Sequence, residues 1–192
     1  MFPPNAVALR RTLTTISRHP GKSCFSHPTD AHLIQRMIDM LVRLYDLPES
    51  ATLYQTVAEK GVILRRARAF EKHTVVAFTK AHFSDKWVSE VEVAMSRQPI
   101  TCFIATREKQ ILGFACYETT QRGFFGPTGV AETARGLGLG KALLFKALEG
   151  LRDIGYAYAI IGGVGPKEFY AKNCGAIDIP GSDPGTYTDL LP

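Results

Sequence analysis

The run Arg135-Gly136-Leu137-Gly138-Leu139-Gly140-Lys141 constrains this chain most, because it opens the clearest amphipathic helix in the sequence. Gly140, Leu143, Leu144, Ala147 and Leu151 share one face, while Lys141, Lys146, Glu149 and Asp153 lie mostly away from it. That spacing predicts a helix over 138–152. An extended apolar stretch, 123–131, leads into the run and reads as a strand. Where a strand turns into a helix, the first helical N–H groups lack partners and carry the positive end of the helix dipole. Alternating glycines remove the side chains that would hold an anion off those amides, and Arg135 and Lys141 add charge. A diphosphate is the natural ligand of such a turn.

Other glycine-rich turns fit less well. A Walker P-loop needs a glycine where Arg135 stands and a hydroxyl residue where Ala142 stands, so it fails. A dinucleotide fingerprint needs G-x-G-x-x-G in an early βαβ unit, whereas here the spacing is G-x-G-x-G and late. A mere tight turn has no use for three alternating glycines between Arg and Lys.

Upstream, Asp30 is a plausible cap for a helix with Ile34, Met37, Ile38, Leu41 and Tyr45 at helical spacing, stopped by Pro48. Ser50 caps a shorter helix that ends near Gly61, and 62–68 reads as a strand. Two amphipathic helices follow, one on Thr74, Ala77, Phe78 and Ala81, the other starting at Trp87, Val91 and Ala94, with Ser84 and Asp85 between them. Strands at 100–106 and 111–119 flank the polar turn 107–110, a hairpin signal. After the glycine-rich helix come a buried-type strand at 156–164, a short helix at 167–173 ending near Gly175, and a tail of turns with a final short strand. The class is mixed α/β (α+β), a mostly antiparallel central sheet flanked by helices with one strand–helix–strand crossover. We expect three parts: an extension over 1–29, a helical segment over 30–60 and the main domain over 61–192.

The net charge is +5, but residues 1–29 hold Arg10, Arg11, Arg18 and Lys22 and no acid, which leaves the rest near neutral. That argues against a nucleic-acid partner. Residues 1–29 suit a transit peptide, a disordered tail, or a start site placed too far upstream. Cys24, Cys102, Cys116 and Cys174 are scattered with no C-x-x-C, so neither a zinc framework nor a disulfide scaffold follows, and we expect no metal. Reduced thiols fit a cytoplasmic protein, or an organellar one if the extension is a targeting segment. No apolar stretch approaches the ~20 residues that span a bilayer, so no membrane partner is expected.

The run Val130-Ala-Glu-Thr-Ala-Arg135-Gly-Leu-Gly-Leu-Gly140-Lys-Ala-Leu-Leu144 resembles the acetyl-CoA motif of the GNAT acetyltransferase superfamily, R/Q-x-x-G-x-G/A after a strand. Phe169-Tyr170-Ala-Lys-Asn-Cys-Gly175 resembles that superfamily's second signature, an aromatic-Tyr helix ending in glycine. The pair lies one strand apart, and the resemblance covers roughly residues 62–180. Glu132 departs from the proline many members carry. The resemblance implies acetyl-CoA as co-substrate, held by Arg135, Gly136, Leu137, Gly138, Leu139, Gly140 and Lys141. It also implies a splayed pair of strands, 123–131 and 156–164, with the pantetheine arm between them against backbone groups near Val130.

What the resemblance implies chemically is direct attack by an amine, from a small molecule or peptide, in a ternary complex. Such attack needs an unprotonated amine, a donor to the oxyanion and a proton for the leaving thiolate. Tyr170 matches the general acid and also packs against the cofactor, and a backbone N–H near Val130 matches the oxyanion donor. Glu118 and Glu132 are the candidate bases. His73, His82, Trp87, Tyr117, Phe124 and Phe125 are candidates to line the acceptor pocket, and Cys116 is a weaker candidate nucleophile with no evident His partner. A non-catalytic acyl-CoA-binding or sensor module of the same fold is the alternative. A homodimer is common in the superfamily, with no sequence feature to support it here.

Overall fold

The computed structural model describes residues 38–191. The two apolar runs around the polar turn pair as a hairpin, β3 (Cys102–Arg107) with β4 (Gln110–Tyr117). The turn holds Glu108 and Lys109 at φ 51° and 65°. Around it assemble β1 (Met40–Arg43), β2 (Ile63–Arg66), β5 (Phe124–Val130), β6 (Tyr158–Ile161) and β7 (Ile177–Asp178). The sheet order is β2-β3-β4-β5-β6-β1-β7, and only the β5–β6 pair is parallel. The mixed, mostly antiparallel class predicted from sequence is the one observed.

Alternation along the hairpin sends side chains to two cores. Ile104, Phe114 and Cys116 pack under α2 (Lys72–His82) and α3 (Asp85–Ser96). Ala105, Ala115 and Tyr117 pack under α4 (Leu139–Asp153) and α1 (Ala51–Glu59). Helix α4 lies so close that a Cβ at Gly150 would stand 2.8 Å from the Tyr117 ring. Its whole inner stripe, Leu139 to Leu151, is buried, as its spacing predicts. Ser84 caps α3 by accepting from the Trp87 N–H at 3.4 Å. Ser50 begins α1 without a side-chain cap, its hydroxyl donating instead to Glu149.

Two expectations are corrected. The helix expected from Asp30 through Tyr45 lies outside the described residues up to 37, and beyond them the chain forms a strand followed by a single 3-10 turn at Leu44–Asp46. Residues 40–43 are β1, inserted between β6 and β7. Met40, Val42 and Leu44 are buried at every second position, while Tyr45 is 64% exposed, so the period-two burial overrides the helical stripe. This strand therefore belongs to the same sheet as residues beyond 61. The strand expected at the end of the tail is instead β7 at its start, followed by a short helical turn at Gly185–Tyr187. Among the described residues Cys102, Cys116 and Cys174 are free and buried.

Candidate active site

The glycine-rich turn has the predicted geometry. Gly136 and Gly138 sit at φ +82° and +85°, a region only glycine enters freely, and a Cβ built on either would meet nothing within 4 Å. Gly138 is the N-cap of α4, whose first turn carries no acidic side chain. The turn borders an open cavity of about 390 Å³ lined by Val130, Arg135, Gly136, Gly138, Gly140, Lys141 and Phe169. Lys60 adds a third cation, its Nζ donating to the Leu137 carbonyl at 3.1 Å. An open face at a helix N-terminus with Arg135, Lys141 and Lys60 nearby is an arrangement that suits an anion.

The strand before the turn is built to open. Ala115 and Tyr117 of β4 pair with Thr128 and Phe125 of β5, so two steps on one strand face three on the other, a bulge at Gly126-Pro127. On its other edge β5 pairs with β6 only at Phe124↔Ile160 and Phe125↔Ile161. Beyond that the strands separate. The Ala131 N–H bonds Leu112 across β4 at 2.9 Å, so by alternation the backbone groups of Thr128 and Val130 face the gap. Gly129 serves a different purpose from the one its neighbours suggest: a Cβ there would lie 2.4 Å from the Phe83 ring, so it admits that ring rather than another backbone.

Beside the gap lies a second cavity, a cleft of about 380 Å³ between Phe125–Thr128 and Ile161–Pro166. Tyr170, on α5 (Lys167–Cys174), closes one end. Its ring is 7% exposed and meets Phe125 and Phe169 edge-on, with centroids 6.1 and 5.2 Å away. Burial pushes its hydroxyl up to about 12. Among the described residues that hydroxyl has no hydrogen-bond partner, which leaves its proton available to a ligand. Trp87 and Glu90 of α3, Thr120 and Tyr187 complete the wall.

The fold does not bring the other predicted side chains together here. Glu118 is buried at φ 62°, and its carboxylate accepts from the Gly123 N–H, bracing the 118–124 turn; Thr120 of that turn lines the cleft, whereas Glu118 itself does not. Glu132 is exposed beside Arg135, 3.5 Å from its guanidinium. Such a surface pair contributes little. His73 and His82 are exposed on α2. Tyr117 and Phe124 are core, whereas Trp87 and Phe125 do line the cleft. Cys116 faces the core under α2 and α3, opposite Cys102, and burial raises its thiol well above the ordinary range. Nucleophilic thiolate chemistry is disfavoured there. Glu90 went unread in the sequence, although its place three residues after Trp87 puts both on one helix face.

The acetyltransferase (GNAT) family model matches residues 67–176, more than half of the chain. The protein belongs to the GNAT acetyltransferase family. Acetyl transfer is the general chemistry of that family. No curated protein matches this GNAT chain. Among solved structures it resembles a GCN5-related glucosamine N-acetyltransferase region of a fungal multi-domain GH3 β-N-acetylglucosaminidase, with 14% identity, TM-score 0.62, and 74% of this chain and 19% of that one covered. It also resembles GCN5-related N-acetyltransferases from Sphaerobacter thermophilus (17% identity, TM-score 0.55, 74% and 48% covered) and Kribbella flavida (15%, 0.50, 76% and 55%). The chain thus spans less than two thirds of each of these relatives, and at these identities they show the GNAT fold alone.

Proposed function

We propose that this GNAT protein moves an acetyl group from acetyl-CoA to an amine of a small molecule or peptide, by direct attack in a ternary complex. The observation that supports this best is adjacency: Val130 at the turn's cavity and Thr128 at the cleft lie two residues apart on β5, and Phe169 and Tyr170, one at each cavity, are neighbours on α5. A diphosphate fits the open Gly136/Gly138 cradle, with Arg135 and Lys141 beside it. The gap-facing groups of Thr128 and Val130 suit an extended chain of amides, and the Val130 N–H suits a developing oxyanion.

Acetyl-CoA supplies the acetyl group already activated as a thioester. Tyr170 keeps its proton throughout the physiological range and so presents a hydrogen-bond donor to a leaving sulfur. A hydroxyl near 12 facing a thiol whose ordinary value is about 8.5 makes full transfer uphill by about 3 to 4 units, or roughly 5 kcal/mol. The tyrosine therefore works first by hydrogen bonding, and transfers its proton as charge builds on a sulfur desolvated in the same cleft. The buried walls at Phe125, Ile161 and Val164 keep water from competing with the amine. The test is free-thiol release from acetyl-CoA across a panel of amines. Turnover that depends on the amine supports the proposal, whereas CoA binding without turnover on any acceptor favours a binding or sensor module.

A further inference from the structure

Among the described residues that line the cleft, Glu90 is the one side chain that carries a charge near neutral pH. The remaining lining groups are glycines, prolines, aliphatic and aromatic side chains, hydroxyls and two protonated tyrosines. Glu90 projects from α3 and accepts from the Thr120 hydroxyl, and among the described residues it has no ion-pair partner. Burial raises its carboxyl above the ordinary range. Tyr187 and Cys116, whose own protons are held more tightly beside it, are neutral at pH 7. A half-buried carboxylate without a cation is costly unless a cation arrives.

Two aromatic side chains stand beside it. Trp87, one helical turn earlier, is held by stacking on Phe83 with centroids 5.2 Å apart. Tyr187 comes from the far end of the chain and packs so tightly over Gly162 that a Cβ there would lie 2.1 Å from its hydroxyl. That tail is anchored by Asp39, whose N–H donates to Ser182 Oγ and whose carbonyl accepts from the Ile179 N–H, at 2.8 and 2.9 Å. Aromatic faces around a carboxylate favour an ammonium group and an apolar body.

We infer that Glu90, flanked by Trp87 and Tyr187, is the acceptor subsite, and that it takes a primary amine with one positive charge on an uncharged, largely apolar body. This rests on the reading of the cleft as an acetyl-transfer site. An amine that also carried a carboxylate would bring a second anion to Glu90 with no cation to receive it, so amino acids are rejected. A diamine would leave its second charge unpaired. Glu90 also receives the proton that the ammonium must lose before its nitrogen can attack. In the balanced transfer one N–C bond forms and one C–S bond breaks with its electron pair going to sulfur. Of the two protons the ammonium sheds, one reaches solvent through Glu90 and the other ends on the thiol.

The test is calorimetric titration of the full chain, free and saturated with CoA, with phenethylamine, phenylalanine and 2-phenylethanol, three probes of one body and different charge. Phenethylamine is expected to bind tighter than the other two by about tenfold or more, the scale of one charged hydrogen bond. Glu90→Gln should erase that preference and leave CoA binding intact, which also verifies that the variant folds. Equal binding of phenylalanine, a preference that survives in Glu90→Gln, or no binding of phenethylamine overturns the assignment. Failure of the wild-type chain to bind CoA would count against the donor site instead, and the titrations of the free protein still report on Glu90.

Discussion

Phe169 and Tyr170 are adjacent in the sequence and meet edge-on, yet Phe169 lines the cavity at the glycine-rich turn and Tyr170 lines the cleft beyond it. One turn of α5 thus ties the proposed anion site to the proposed reaction cleft. The tie is mechanical as well as spatial, because Tyr170 also packs on Phe125, the last residue of β5 that pairs with β6. Displacing α5 would disturb both cavities together.

Gly138→Glu is expected to abolish CoA binding in calorimetry. It puts a negative side chain at the N-cap where an anion is to sit, and it forces a side chain onto a backbone at φ +85°. A thermal melt separates the two effects, since the conformational penalty alone is about 1–2 kcal/mol. Undiminished CoA affinity would remove the turn from the site.

Tyr170→Phe should keep CoA affinity and stability close to wild type, because the lost hydroxyl bonds nothing among the described residues. Turnover should fall by roughly 10²-fold, the low end for loss of a proton donor. Steady-state kinetics with acetyl-CoA and an accepted amine checks this. An unchanged kcat would reduce Tyr170 to packing.

Alkaline titration should expose the buried tyrosines. Tyr170 and Tyr187 titrate near 12 when folded, against an ordinary value near 10, and burial is the first cause in both. Between those values the unfolded chain has lost protons that the folded chain retains, so stability falls as pH rises. Urea unfolding should show full stability below pH 10 and a decline from pH 10 to 12, with Tyr170 contributing up to roughly 3 kcal/mol of the loss. A flat profile across that window would contradict the burial of Tyr170.

Gly129→Ala should lower stability by about 1–3 kcal/mol, as overpacking does. The new methyl would lie 2.4 Å from the Phe83 ring, which is wedged between Trp87 and Phe114. Because Phe83 supports Trp87, amine binding should weaken while CoA binding holds. Urea denaturation with parallel titrations reads both.

Iodoacetamide applied to the native protein should leave acetyl transfer intact. Cys102, Cys116 and Cys174 are buried, and the Cys116 thiol is pushed far from the thiolate form. Loss of activity in step with labelling of Cys116 would restore it as a nucleophile.

The features legible in the sequence were those that local chain geometry determines. Helix α4 and the Gly136/Gly138 turn depend on residues within a few positions of one another, so spacing suffices. Met40–Arg43 misled because two periodicities overlap there: Leu41 and Tyr45 continue a helical stripe, while Met40, Val42 and Leu44 alternate, and only pairing with β6 and β7 decides between them. Glu90 was illegible for a similar reason. On an amphipathic helix an acid reads as solvated, and it becomes a cleft residue only when Thr120 and Tyr187 close over it from distant segments. Glu118 shows the converse, since its polarity beside a strand end suggested chemistry but serves a turn.

The most direct test of the central claim is to incubate the protein with acetyl-CoA and a primary amine, following free thiol and the mass of the amine together. The account predicts one acetylated amine for each thiol released, with both signals lost in Gly138→Glu. Thiol release without acetylated amine, or no release for any amine under saturating acetyl-CoA, would contradict it.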